Sequence, residues 1–413
     1  MVPYRYGETS SLRLCRQELE GGRSPPRNRP AAPKPLRRSA FLWANLSLAK
    51  LMDTLRSGRL LIFHLLELAE EIDLGRVRAI WADSAVGQIV PRRPQPGAAI
   101  QFRYPPVVLP LGARPLTSRL AGSVRAKIFD FGIVSISWDL AAPDTWDELL
   151  LLSAELQEDP ALEAASRRIL DELRPRVAPA CKGLIPDSRL IEDYFVVYVE
   201  ELDEPVTAEA LLGRHGPLLA QILRGERREL SPDECRDALR LRHSYLVDDL
   251  VIVTWNAAFI YDPERSSEPV DILEFANAEL LDLRYYDALL DRELVGIYDE
   301  LQVPHGLFTR RGKYLRTSER LMGLMVEVYD LREKIDNALK IIGDMYSARI
   351  YRLIADRLRL NEWEDTVDAK LKIAQQVYQV LLEELGQARF MALEIIIVLL
   401  ILLETGFFIF GPH

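Results

Sequence analysis

The sequence predicts a mixed α/β (α+β) head domain followed by a long antiparallel α-helical hairpin and a C-terminal transmembrane helix. Three observations carry this expectation. Over residues 41–263, short runs of β-branched and aromatic residues alternate with stretches of helical period. Over 267–389, apolar residues recur at steps of three and four along polar helices. Over 390–410 the chain is almost wholly apolar. The bulk composition agrees: 413 residues, 48% hydrophobic and 28% charged, describe a globular protein and exclude wholesale disorder or a fibrous repeat.

Residues 1–40 read as a disordered, basic, Pro/Arg-rich arm. They hold six prolines, eight arginines and one lysine against three acids, without an apolar period. Five prolines between Pro25 and Pro35 would break an amphipathic transit helix, and there is no apolar signal core.

The head is expected over 41–263. Residues 41–55 read as a short amphipathic helix and 60–66 (LLIFHLL) as a buried strand. A helix-like stretch follows through Ile72, Leu74 and Val77, and 105–111 is extended, with prolines marking an edge. Residues 124–140 form a strand pair interrupted at Gly132. Helical spacing returns at 145–156 and 160–173, a strand at 193–202, and a helix at 208–223. Ser231-Pro232-Asp233-Glu234 is an N-cap signal with proline at the first helical position. Residues 249–261 read as one strand bent near Asn256.

Net charge is −10 with a pI near 5.3, against a generally basic nucleic-acid coat. One window departs from this. No acid occurs between Asp83 and Asp130, while Arg92, Arg93, Arg103, Arg114, Arg119, Arg125 and Lys127 do. Those residues are the candidate surface for an anionic partner: RNA, the ribosome or an acidic protein face.

The helical region is expected over 267–389. Its first helix, 267–301, is strongly acidic, which reads as a solvated face or a surface that docks on the basic window. The second carries Leu321, Leu324, Val328, Leu331, Ile335, Ala338, Ile342 and Met345 in a heptad seam, and the third carries Val367, Leu371, Ala374, Tyr378, Leu381, Leu385 and Ala388. Two consecutive seams predict a coiled-coil-like hairpin that serves as a stalk and a homo-oligomerisation element.

Residues 390–410 are 21 in number, about 31 Å as a helix, which matches the hydrocarbon thickness of a bilayer. Fifteen Leu, Ile, Val and Phe residues favour insertion by roughly 7 kcal/mol, and Glu394 and Glu404 oppose it by at most about 5–7 kcal/mol. A single-pass tail anchor in the lipid bilayer is the resulting expectation. Arg389 precedes the segment and no Lys or Arg follows, which places the bulk on the cytoplasmic (or organellar matrix) side. Glu394 and Glu404 are the anchor carboxylates, about 80° apart on a helix, so that one broad face holds both.

No glycine-rich phosphate loop, dinucleotide fingerprint, GxSxG or HExxH occurs. His64, His215, His243 and His305 have no metal-type spacing, and Cys15, Cys181 and Cys235 form no disulfide framework. No catalytic residue, cofactor or metal is therefore assigned.

The ordered series KIFDFGIVSISWDL (127–140), DYFVVYVEEL (193–202), YLVDDLVIVTWNAAFIY (245–261), the long helices and LEIIIVLLILLE (393–404) resembles the required for meiotic nuclear division family. The resemblance covers roughly residues 59–410, and Glu394 and Glu404 match the two acidic positions of that family's terminal segment. It implies a membrane-anchored, self-associating protein without established catalysis, whose mitochondrial member supports translation. The function expected from the sequence is a self-associating interaction or scaffold protein. The alternative is a hydrolase-like enzyme with a motif-free acidic site in the head.

Overall fold

The computed structural model describes residues 54–82, 105–116, 121–186, 190–302, 315–326, 328–329 and 345–410, with side chains except at 299–302, 384–393 and 406–410; residues 315–326 are helical, in keeping with the start of the second expected helix. The basic arm, most of the short helix expected over 41–55, and seam residues 331–342 lie outside the described residues. Leu55, expected at the end of that helix, is the first residue of a strand.

That strand, β1 (Leu55–Glu67), organises the molecule. It is buried from Leu60 to Glu67 without alternation, as a strand covered on both faces must be. It pairs antiparallel with β5 (Ile133–Ala141) on one side and β7 (Ile191–Leu202) on the other. The sheet continues outward through β4 (Ala121–Ile128) and β3 (Val107–Pro115) beyond β5, and through β10 (Ala257–Tyr261), β9 (Leu250–Val253) and β8 (Arg242–His243) beyond β7. In this eight-stranded sheet β7 and β10 run parallel, and the other pairs run antiparallel. A separate ladder joins β2 (Ala69–Ile72) to β6 (Cys181–Leu184).

The turn between β4 and β5 is fixed by Gly132, with φ of +94°; a Cβ there would lie 1.8 Å from the Ala69 carbonyl oxygen. Only glycine satisfies both the left-handed backbone and that approach. The single bent strand expected over 249–261 is two strands. The Thr254 hydroxyl donates to the Ala257 carbonyl and accepts the Ala257 N–H, closing a tight turn around Asn256.

Side-chain alternation divides the core in two. Leu60, Ile62, Trp138, Phe195, Val197 and Phe259 face α2 (Trp146–Glu158), α3 (Pro160–Val177) and α4 (Ala208–Arg224), and α1 (Leu74–Ala82) adds Val77 and Trp81 at the margin. Thr145, Asp159 and Thr207 cap those three helices. The short α5 (Pro232–Ala238) is capped by Ser231 as its sequence predicts. Leu61, Phe63, Leu65, Tyr194, Val196 and Ile260 point the other way, against α6 (Glu268–Gln302), α7 (Met345–Leu358) and α8 (Leu360–Phe410). The result is a three-layer arrangement of helices, sheet and helices.

Two helical expectations change in this setting. The acidic α6 lies directly on the sheet, so Glu274, Glu279 and Asp282 are buried. The seam residues Val367, Leu371, Ala374 and Leu381 are buried within the chain, in the two clusters that α6 also lines.

The C-terminal transmembrane helix, the tail anchor and the membrane localisation are corrected. Among the described residues, no helix is long and apolar enough to cross a membrane. Glu394 and Glu404 interrupt the tail, leaving nine consecutive aliphatic residues, 395–403, between them. As a helix these span about 14 Å, against roughly 30 Å of hydrocarbon.

Candidate functional site

A polar chain enters the otherwise apolar α2–α3 side of the sheet. Trp138 on β5 can only donate, and its Nε1–H does so to Ser166 Oγ on α3 at 2.9 Å. Ser166 Oγ lies 3.0 Å from His64 Nδ1. The hydroxyl proton then goes to Nδ1, which leaves the ring proton on Nε2 (the tautomer follows from the bonding pattern). His64 is 4% exposed, and burial pushes its pKa down to about 4, so the ring is neutral. Nε2 makes no hydrogen bond among the described residues.

His64 forms one wall of a cleft of about 170 Å³. The α2–α3 junction supplies Glu158, Asp159 and Glu163; β7 supplies Asp193, directly opposite His64 in register; the β9–β10 turn supplies Asn256. Ile62, Leu156, Leu162 and Phe195 supply its apolar lining. Asp193 stands at the open rim, and desolvation, with the charge of Glu163 adding to it, raises its pKa. Asp159 both ends α2 and caps α3, accepting the Ala161 N–H at 2.9 Å. Glu163 pairs with Arg167 at 2.8 Å on the same helix. Chemically the arrangement is a neutral imidazole donor facing carboxylates over an apolar floor.

The residues expected to bind an anionic partner are dispersed or occupied. Arg92, Arg93, Arg103 and Arg119 lie outside the described residues. Arg114 pairs with Glu172 at 2.8 Å, and Arg125 donates to Ser137 Oγ at 2.9 Å. Lys127 is buried and pairs with both Glu274 and Asp271 of α6, the latter at 3.0 Å. The docking of the acidic helix on the basic window is thus seen at one lysine. His215 is buried and stacked on Trp146 at 4.6 Å, a packing role; His305 lies outside the described residues. Among the described residues no group of three or more His, Cys, Asp or Glu could hold a metal ion.

Glu394 and Glu404 are exposed on α8 and bracket residues 395–403, whose aliphatic side chains are each 47–71% exposed. The sequence marked this segment. It missed the cleft, whose one signal was a histidine inside the apolar run LLIFHLL, because Ser166 and Asp193 are about 100 and 130 residues away.

No solved structure matches the chain. The uncharacterised protein MJ0711 of Methanocaldococcus jannaschii is 27% identical over 218 residues, which are 52% of this chain and 65% of the relative. The match therefore spans less than two thirds of that relative's length. The family model described as the N-terminal domain of uncharacterised protein MJ0711 matches residues 57–268, just over half of the chain. That range holds β2 to β10, nearly all of β1, the helices α1 to α5 and every residue of the cleft, and stops where α6 begins. By this match the chain belongs to the MJ0711 N-terminal domain family.

Proposed function

We propose that this protein is a self-associating interaction protein that assembles through the apolar end of α8. The observation that carries the reading is the run 395–403: nine consecutive aliphatic residues, each 47–71% exposed, around the full circumference of a helix. A helix apolar on all sides is stable in water only when its whole surface is covered. Scattered apolar residues on a surface need no explanation, but an uninterrupted patch of this kind marks an interface. A second copy of the same helix offers a matching surface, bracketed by Glu394 and Glu404. The resemblance to the required for meiotic nuclear division family also implies self-association.

The test is light scattering on the full chain at micromolar concentration. A mass of at least two chains is expected, falling to one chain in the double variant Ile396→Glu, Leu399→Glu. A strict monomer, or a double variant that keeps the assembled mass, overturns the reading.

A further inference from the structure

We propose that the cleft walled by His64 binds a small organic cation, a primary ammonium or guanidinium group on a short alkyl stem. The lining is acidic. Glu158, Asp159, Glu163 and Asp193 line the space, and no lysine or arginine lines it with them. Glu163 is partly neutralised by Arg167, but the Asp193 carboxylate has no ion-pair partner among the described residues. A cation between the two would make charge-assisted hydrogen bonds to both.

An anion finds no free helix-end donors here. The N-terminus of α3 also lies at the cleft, and a helix N-terminus ordinarily attracts anions. Here that end is already satisfied. Asp159 accepts the Ala161 N–H through its side chain and the Leu162 N–H through its carbonyl, and Pro160 has no N–H to offer.

His64 stands in the wall of the same cleft. Its ring is more than nine-tenths buried, held at Nδ1 by Ser166, and unbonded at Nε2 on the cleft wall. It presents a fixed neutral donor without adding positive charge. A bridging water can carry that donor to the carboxylates that hold the cation, so the ring adds no charge of the wrong sign. The floor of Ile62, Leu156, Leu162 and Phe195 accepts the stem. An enclosed cavity of about 150 Å³ holds a benzene ring, so about 170 Å³ holds four carbons and a charged head. The desolvation that raises the Asp193 pKa marks a carboxylate that a bound cation would stabilise in its charged form.

Titration calorimetry on the full chain tests this, with n-butylammonium and agmatine as cations and butyramide as their neutral counterpart. Saturable binding of either cation is expected, with butyramide at least about tenfold weaker. Asp193→Asn and Glu163→Gln should each weaken the cation about tenfold while circular dichroism melts stay unchanged. If one of these variants misfolds, the other decides. No saturable heat up to about 10 mM cation, equal binding of butyramide, or folded carboxylate variants within about twofold of the parent would overturn the proposal. Displacement of bound cation by magnesium at constant ionic strength would also overturn it, by reassigning the carboxylates to a metal.

Discussion

His64 occupies the middle of the central strand, where a leucine would pack as well and ask for no hydrogen bond. Its retained Trp138–Ser166–His64 chain has a consequence that can be measured without any ligand. The ring titrates at about 4 in the fold and near 6.5 when unfolded, so between those values the unfolded chain binds the extra proton. The stability this contributes is complete above pH 6.5 and is lost as pH falls toward 4, to a total of about 3 kcal/mol. Asp193 and Glu192, both raised by desolvation above their ordinary values of 3.8 and 4.5, act in the opposite sense over a pH range that overlaps this one. Urea melts of the parent and of His64→Gln therefore have to be compared at each pH. The parent should lose stability relative to the variant between pH 7 and 4.5; parallel curves would show that the ring is not held neutral. None of this was legible at His64 alone, because a lone histidine in an apolar run does not announce whether its partners exist.

At the scale of elements, the local signals translated well where they were local. The cap at Ser231, the turn at Gly132 and the proline-marked edge at β3 depend on residues a few positions apart, and each stands where the sequence put it. What the sequence could not show was which face of α6 would be covered. Acids at 274, 279 and 282 read as a solvated surface, but the sheet on one side and α7 and α8 on the other leave those positions no solvent. Lys127 reaches from β4 to meet two of the helix's acids, Asp271 and Glu274, and the Glu274 carboxylate is fully buried. Removing the lysine strands that charge. Lys127→Met should destabilise the fold by about 3–5 kcal/mol, and Lys127→Met combined with Glu274→Leu should recover most of the loss. Denaturant midpoints of the single and double variants check this; additive losses would mean the pair is not coupled.

Across the whole molecule, β1, β5, β7 and β10 are shared property of both cores, so neither face can melt alone. Leu65 and Leu66 are adjacent on β1 and point to opposite cores. Leu65→Ala and Leu66→Ala should each lower stability by about 2–5 kcal/mol. In both variants tryptophan emission and far-ultraviolet circular dichroism should report one coincident transition. Two separated transitions would mean the layers fold independently. The feature that shapes behaviour at high concentration is the pair of outer strands. β3 carries Pro110 and Pro115 with a register shift at Pro110/Gly112, and β8 is two residues long. Neither border offers a straight row of free amides and carbonyls onto which another chain could zip. At these two borders of the eight-stranded sheet, strand-on-strand pairing between copies is thus disfavoured, and a contact made there falls to side chains, where single substitutions can switch it off.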